Sequence, residues 1–442
     1  MSESWIVVGA GSAGCVVANR LSAQPGRRVT LVDCGPALLS GGVPAGVAGS
    51  SFFAALQEPG RMFPDLLATR AKGIPATVYQ RGRGIGGSSA VNAMVALPGS
   101  ESLYRGWGWS DCAEAWSRVQ IPAELATTSE LGAVDQALLC DDRAEPLKLT
   151  RQNGKRVTSA EAYLWPVLDR PNLTVRSEAP VARIRIAARR ANGVVLDDGS
   201  ELEADHVVVC AGAIHSPVIL LRSGVDTPGI GSGLQDHPSV VFTLRLREEA
   251  HHASDGLPIA SALHASVGSD VLQLLPMSHI GSAPETAGLG AMMAALMTPT
   301  SRAGSVGISR SGTPVVNFAL LDNAHDMQGL VAATRLALDL LGSTAFDQIV
   351  ERIYIDDRGT TIEALTGESS IEAWVRTHCG DYVHATSTCA MGTVVDDDFA
   401  VAGYQNLYVC DASVFPSIPD ANTHLPTTML AERFGLRHLR DV

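Results

Sequence analysis

The chain has 442 residues, too many for one ordinary hydrophobic core, so two domains are expected. With 46% hydrophobic and 18% charged residues it is composed as a well-buried globular protein, which excludes intrinsic disorder. A net charge of −13, with no basic run and no basic amphipathic helix, argues against a nucleic-acid partner or an anionic membrane surface. The apolar stretches are strand-length, and none reaches the ~18 residues of a membrane-spanning helix. Met1-Ser-Glu-Ser runs straight into the first apolar segment, which leaves no room for a signal peptide. The eight cysteines are scattered without a Cys-x-x-Cys pair. They read as reduced packing residues of a cytoplasmic protein, with no zinc site.

The first element is a buried strand, Trp5-Ile-Val-Val8, that drives into Gly9-Ala10-Gly11-Ser12-Ala13-Gly14. The next apolar run, Val29-Thr-Leu-Val32, ends in Asp33, 33 − 14 = 19 residues beyond the last glycine. Strand, glycine turn, helix and acid form a βαβ unit that grips a dinucleotide. Gly9 makes the tight turn, Gly11 lets the backbone approach a pyrophosphate, and Gly14 permits helix–strand packing. The helix N-terminus faces the phosphates, and Asp33 accepts from a ribose hydroxyl.

Residues 37–75 are rich in Gly, Pro and small side chains with poor periodicity, and read as a long connection over the cofactor or substrate entrance. Arg81-Gly-Arg-Gly-Ile-Gly-Gly-Ser-Ser-Ala-Val-Asn92 is a second glycine-rich loop, able to close backbone amides on an anion or a flat ring. Short strands follow at Leu173-Thr-Val175, Val181-Ala-Arg-Ile-Arg-Ile186 and Gly193-Val-Val-Leu196, with Asp197-Asp-Gly199 as a hairpin turn. His206-Val-Val-Val-Cys210 is a buried strand ending in Ala211-Gly212-Ala213, where an open α/β sheet meets its ligand. From about residue 240 to 378 strand-like runs (Val271-Leu-Gln-Leu-Leu275, Val315-Val-Asn-Phe318) precede a helical pattern over 327–341. This part reads as an antiparallel sheet backed by helices, a substrate domain. Its Leu274, Met277, Met292, Met293 and Met297 suit an apolar site and ordinary core equally well. Beyond Tyr382 the first style returns, with Leu407-Tyr-Val-Cys-Asp411 as another strand ending in an acid, then a Pro/Asn/Thr stretch and a last helix beginning near Pro426 and Thr427.

Six motifs, in order along nearly the whole chain, resemble the glucose–methanol–choline (GMC) flavoprotein oxidoreductases. They are the N-terminal glycine turn with Asp33; Gly82-Arg-Gly-Ile-Gly-Gly-Ser-Ser-Ala-Val-Asn-Ala-Met94; Ala211-Gly-Ala-Ile-His-Ser-Pro217; Gly233-Leu-Gln-Asp-His-Pro238; Pro299-Thr-Ser-Arg-Ala-Gly-Ser-Val306; and the pair His384-Ala-Thr-Ser-Thr-Cys-Ala-Met-Gly392 with Asp411-Ala-Ser413 and Asn422-Thr-His-Leu-Pro-Thr427. The resemblance implies an α/β protein with a Rossmann-like FAD-binding domain assembled from residues 1–100, 155–238 and 381–442. A substrate domain with an antiparallel sheet would comprise 101–154 and 239–380. The chain is a compact member, shortened between Asn92 and Lys155 and in the substrate domain, so a more open active site is expected. Val91 stands where some members carry a histidine bonded covalently to flavin, and valine cannot form that bond. Dissociable FAD is therefore expected.

The resemblance also assigns the site. Ala10, Ser12 and Ala13 would bond the pyrophosphate together with Gly9, Gly11 and Gly14. Arg83, Gly87, Ser88 and Asn92 would line the flavin and phosphate side, and Val181 would offer backbone hydrogen bonds to adenine. Ala211 and Gly212 belong to the same cradle, and Asp411, Ala412, Thr423, Pro426 and Thr427 would reach the ribityl chain and ring. Oxidising an alcohol needs a base for the hydroxyl proton and an acceptor for a hydride, which the family passes to flavin N5. His384 would be the base, its type suited by an ordinary pKa of ~6.5. Asn422 would hydrogen-bond the forming alkoxide, although on residues alone it reads equally as a turn or helix cap. His424, where many relatives have Asn, competes for that role. His237 reads as part of a loop packed on the cofactor domain.

The expected function is FAD-dependent oxidation of an alcohol to an aldehyde or ketone, with oxygen, a quinone or a protein as electron acceptor. Two alternatives remain: a non-redox lyase of the hydroxynitrile type, and reoxidation of a small peptide-derived redox cofactor.

Overall fold

The computed structural model describes residues 3–37 and 42–439; the extreme N-terminus and residues 38–41 of the expected connection lie outside them. Five strands form one all-parallel sheet in the spatial order Leu173–Arg176, Arg27–Val32, Glu3–Val8, His206–Val209, Leu407–Val409. Their sequences are runs of valine, leucine and isoleucine because both faces are covered. Trp5, Ile6, Val7, Val207, Val208 and Leu407 are buried, and the helices Gly14–Ser22 and His424–Leu439 pack together over them. Four strands deliver the residues that follow them, Gly9, Asp33, Cys210 and Cys410-Asp411, to one edge of the sheet. That edge, outside the carboxyl ends, is where such sheets bind ligands. Residues 173–175 belong to this sheet as its outer strand, against Val29–Val32.

A second, six-stranded antiparallel sheet runs Val350–Tyr354, Ser239–Leu246, Leu289–Leu296, Asp270–Met277, Ser261–Val267, Ala144–Pro146. The helix Ala324–Leu341 packs on one face of it, capped by the Asn323 side chain accepting from Asp326 N–H. The family resemblance's discontinuous α/β architecture is thus present, with four further sheets among the described residues, of five, three, two and two strands. One is the three-stranded Val181–Ala187, Arg190–Leu196, Glu201–Glu203. The first of its turns holds Ala188 and Arg189 at φ 50° and 61°, a left-handed geometry that no glycine or asparagine announces.

Two expectations change. Residues 37–75 are not a featureless connection: they carry the short helices Ala45–Ala48 and Phe52–Leu56 and the strand Leu67–Thr69. That strand joins Thr77–Val78, Pro314–Asn317, Gly304–Ile308 and Ser232–Leu234 in a sheet whose strands come from both sides of the expected boundary at 238/239. Residues 101–121, expected with the substrate domain, pack on the parallel-sheet core instead. The reason is the last helix: Arg433 bonds Asp111 at 2.6 Å and lies 4.0 Å over the Trp109 ring. Among the described residues no helix is long and apolar enough to cross a membrane, and all eight cysteines are unpaired.

Candidate active site

A cavity of about 660 Å³ runs along the ligand edge of the parallel sheet and continues to the second sheet. Its floor is made by two glycine loops that touch. Gly9 has φ +100°, and a Cβ on Gly14 would lie 1.8 Å from Gly9 O, so strand, turn and helix can close only with hydrogen at both places. Gly87, at φ +51°, meets Gly11 so closely that a Cβ there would fall 2.6 Å from Gly11 Cα. A Cβ on Gly11 itself would have nothing nearer than 3.9 Å. Gly11 therefore keeps space for a ligand, whereas Gly14 and Gly87 keep space for backbone.

Of the expected cofactor residues, Gly9, Gly11, Ser12, Ala13, Asp33, Arg83, Gly87, Ser88, Asn92, Val181, Ala211, Gly212, Asp411, Ala412, Thr423 and Thr427 line this cavity. Ala10, Gly14 and Pro426 stand behind the lining. The Ala10 N–H, expected to serve a pyrophosphate, donates instead to Asp33 Oδ2 at 2.8 Å, and its carbonyl accepts from Gly86 N–H. Asp33 Oδ1 accepts from Gly35 N–H, so this buried acid clamps its own loop while facing the cavity; burial pushes its carboxyl above the ordinary value. Arg83 donates to Cys34 O at 2.8 Å, which puts it at the Asp33 end. Asp411 accepts from Gly212 N–H and Ser216 Oγ on one oxygen and from Ser413 N–H on the other, tying the helix Gly212–Arg222 to the last segment. Asn92 Oδ1 accepts from Met94 N–H and, at 2.6 Å, from the fully buried Arg156. With that oxygen taken twice, the amide nitrogen is the end left for the cavity.

The last helix begins at His424, earlier than the expected Pro426, and aims its positive end at the same cavity. His424 Nδ1 lies 3.0 Å from Ser12 Oγ, and its Nε2 is buried with no partner. Burial and the nearby Arg156 push His424 down to about 4. Asn422 Oδ1 is likewise buried and unpartnered.

His384 lies across the cavity. Its backbone is fixed by Asp236, whose two oxygens accept from His384, Tyr382 and His237 N–H groups and from Tyr79 O–H. Its ring is fixed by His237. His237 Nε2 is 2.9 Å from Pro419 O, and its Nδ1 is 3.0 Å from His384 Nδ1. A carbonyl only accepts, so His237 Nε2 carries the proton and its Nδ1 is an acceptor. His384 Nδ1–H must then donate to it, and the lone pair of neutral His384 is on Nε2. That nitrogen faces the Asn422 amide nitrogen at 3.5 Å, the long end of hydrogen-bond range. Burial, then the adjacent His237 and Arg81, hold His384 well below an ordinary histidine; burial holds His237 down to about 4.

The structure thus brings His384 to Asn422, and His424 to Ser12. His237, read from sequence as a packing residue, is the partner of the His384 ring; the Gln-Asp-His-Pro run was its signal, since Asp236 and His237 both reach the His384 segment. Asp236, His237 and His384 offer ligand atoms within 4.8 Å of one another, a metal-like grouping. Those ligand atoms are already engaged by the hydrogen bonds just described, which account for the grouping without an ion.

A parallel sheet with glycine turns at its strand ends, facing a buried histidine–amide pair carried over a second sheet, defines a dinucleotide-dependent oxidoreductase. The orphaned His424 Nε2 and Asn422 Oδ1 and the space kept by Gly11 fit a large polar cofactor in this cavity. Models of the GMC oxidoreductase family match residues 4–130 and 134–239 with the N-terminal part and 299–431 with the C-terminal part. The chain belongs to the GMC oxidoreductases, enzymes that use FAD.

It is 28% identical to 5-(hydroxymethyl)furfural oxidase of Methylovorus sp. (strain MP688), over 98% of this chain and 97% of that one. That alignment runs over 533 positions against a chain of 442, so internal segments of the relative have no counterpart here. It is 25% identical to an alcohol dehydrogenase [acceptor] of Pseudomonas putida, over 97% of this chain and 94% of that one. Identity to an oxygen-dependent choline dehydrogenase of Photobacterium profundum is 27%, over 97% and 91%. The fold is that of pyridoxine 4-oxidase from Mesorbium loti, with a TM-score of 0.86 over 100% of both chains at 23% identity. These relatives are named as oxidases and dehydrogenases, and nothing in them supports the lyase or the peptide-cofactor alternative.

Proposed function

We propose that this protein oxidises an alcohol to the corresponding carbonyl compound, with His384 Nε2 as the base. The observation that carries the reading is the chain Pro419 O, His237, His384, Asn422, which leaves one lone pair on the cavity side of a neutral imidazole. A hydroxyl between His384 and Asn422 would give its proton to Nε2, while the Asn422 amide donates to the developing alkoxide oxygen. The chemistry FAD supplies when bound is acceptance of the hydride from the adjacent carbon. Loss of a proton to His384 and of a hydride from carbon balances the change from alcohol to carbonyl. The imidazolium that results keeps its Nδ1–H on His237, so the relay does not have to rearrange.

Residues suited to hold FAD are the glycine cradle for the diphosphate, Asp33 for a ribose hydroxyl, Val181 for adenine, and Asn92, Thr423 and Thr427 for the flavin end. The positive end of the last helix and the buried Arg156 favour negative charge there. Val91 supports non-covalent attachment. The unpaired cysteines support a reducing, cytoplasmic setting. The test is anaerobic addition of simple alcohols to the purified yellow protein. Bleaching of the flavin with stoichiometric carbonyl product is expected; carbonyl formation from no alcohol would overturn the reading.

A further inference from the structure

The six-stranded sheet presents two different faces. Leu272, Leu274, Met292, Ala294 and Leu296 point to the core beneath the helix Ala324–Leu341. The alternate positions point the other way. Leu275 and Met293 are direct cross-strand partners, and Met277 continues the same face of its strand. These three side chains line the cavity together with Met94, Ile259 and Tyr382. Leu275, Met94, Ile259 and Tyr382 belong to one apolar cluster, against which Met277 and Met293 pack. The Tyr382 ring is 4.7 Å from the His384 ring, so the apolar lobe adjoins the proposed base. The Tyr382 hydroxyl turns away from His384 and is spent on the buried Gln273.

The six side chains of this lobe carry one hydrogen-bonding group, the Tyr382 hydroxyl already spent on Gln273, whereas Arg81, Asn92, His384 and Asn422 line the same cavity. Four carboxylates line the cavity among the described residues. Asp33 and Asp411 follow strands of the parallel sheet, and Asp197 follows the strand paired with Val181. Asp381 is the one beside His384, but its oxygens are held by Arg70 at 2.6 Å and by Val383 N–H. Beside His384, therefore, no unpaired carboxylate is left to meet a substrate cation; the exposed Asp197 lies next to Val181 and Pro180 instead. The groups able to meet a hydroxyl, His384 Nε2 and Asn422, stand together at one end.

We infer that the site takes uncharged alcohols with one hydroxyl at the end of an apolar body, aromatic or branched, and discriminates against quaternary ammonium alcohols and polyols. This rests on the proposed alcohol oxidation for its chemistry and deepens it by naming the substrate class. A polyol would bury hydroxyls with no partner, and a trimethylammonium group would lose its water with no carboxylate in return. Methionine gives the wall some tolerance of shape, so a class of alcohols is expected rather than one compound.

The test uses the FAD-loaded full-length protein and anaerobic stopped-flow reduction of its flavin. Benzyl alcohol is expected to reduce it with a second-order rate about 10²-fold above those of glycerol and choline, the scale on which an apolar pocket separates such substrates. Met293→Gln and, separately, Met277→Gln should lower the benzyl alcohol rate by roughly tenfold with flavin content unchanged. Choline or glycerol matching or exceeding benzyl alcohol would overturn the inference. A binding readout separates it from the activity itself: toluene should perturb the bound flavin spectrum and tetramethylammonium should not. If no alcohol reduces the flavin, the oxidation reading fails, and the toluene titration still decides the lobe, an unchanged spectrum at saturating toluene counting against it.

Discussion

His237 Nδ1 and His384 Nδ1 lie 3.0 Å apart, although 147 residues separate them in the chain. Because Pro419 O accepts from the far side of His237, the proton between the two rings belongs to His384. The proposed base is thereby held neutral, with its lone pair on Nε2, before any substrate arrives.

Replacing His237 tests that relay without touching the base. His237→Leu leaves His384 Nδ1–H buried and unpaired and frees the ring to adopt the wrong tautomer. Flavin reduction should slow by roughly 10- to 100-fold, in line with the ~1–3 kcal/mol cost of an unmet buried donor. The loss should fall on the limiting rate more than on the half-saturating alcohol concentration. His237→Asn offers an amide oxygen near the Nδ1 position and should recover much of the rate. Equal defects in both variants would reduce His237 to a packing residue.

The depressed pKa of His384 has a direction. A base must be unprotonated to act, and burial with His237 and Arg81 keeps His384 neutral well below the ordinary histidine value. The limiting rate of flavin reduction should therefore stay level from about pH 9 to pH 6.5 and fall only in more acidic solution. A midpoint at or above the ordinary value of ~6.5 would mean that the titrating base is not buried as described.

Buried histidines also lower acid stability, opposing Asp236, whose carboxyl is pushed up to about 7 by burial and then by Asp381 and so takes up its proton first in the folded state. His215, His237 and His424 are each held down to about 4 by burial, whereas unfolded histidine titrates near ~6.5. Between these values the unfolded chain binds more protons, so stability is full above pH ~6.5 and is lost as pH falls toward 4, by at most on the order of 3 kcal/mol per histidine. Thermal unfolding of the FAD-loaded protein should show Tm dropping by several degrees across this window. A Tm that is level or rises on acidification would contradict it.

The glycines separate by the space they guard. Gly11→Leu should yield a folded protein without flavin, because the side chain would occupy the cavity. Gly14→Ala places its Cβ on a carbonyl oxygen and should cost stability on the order of 1–3 kcal/mol or more. Flavin absorbance per protein and Tm distinguish the two outcomes. In the unaltered protein, acid precipitation should leave all flavin in solution, since Val91 offers no atom for a bond; flavin retained in the washed pellet would refute non-covalent attachment.

Much of the nucleotide end was legible because its signals are local: Val8 leads to Gly9, and Val32 to Asp33, within single strand–turn units. His384 and Asn422 could be named from motif resemblance, but which nitrogen of His384 carries the free lone pair could not, because that depends on Pro419 and His237 from other segments. Ala10 shows the limit of reading a turn by type, since its amide is consumed by Asp33 across the loop. The mixed use of methionine was undecidable from composition. Only the register Leu275 to Met293 shows that Met277 and Met293 face the cavity while Met292 faces the core. Residues 37–75 hid a strand because one of its two partners, Pro314–Asn317, lies more than 240 positions downstream and the other, Thr77–Val78, is only two residues long.

The most direct measurement of the proposed site is the anaerobic rate of flavin reduction in His384→Ala, Asn422→Ala and His424→Ala, each loaded with FAD. His384→Ala should remain yellow and lose ~10²–10⁴-fold, the worth of a positioned base. Asn422→Ala should lose less, and His424→Ala least, as its ring is bonded to Ser12 and not to His384. An undiminished rate in His384→Ala, or the largest loss in His424→Ala, would contradict the assignment and move the base to the start of the last helix.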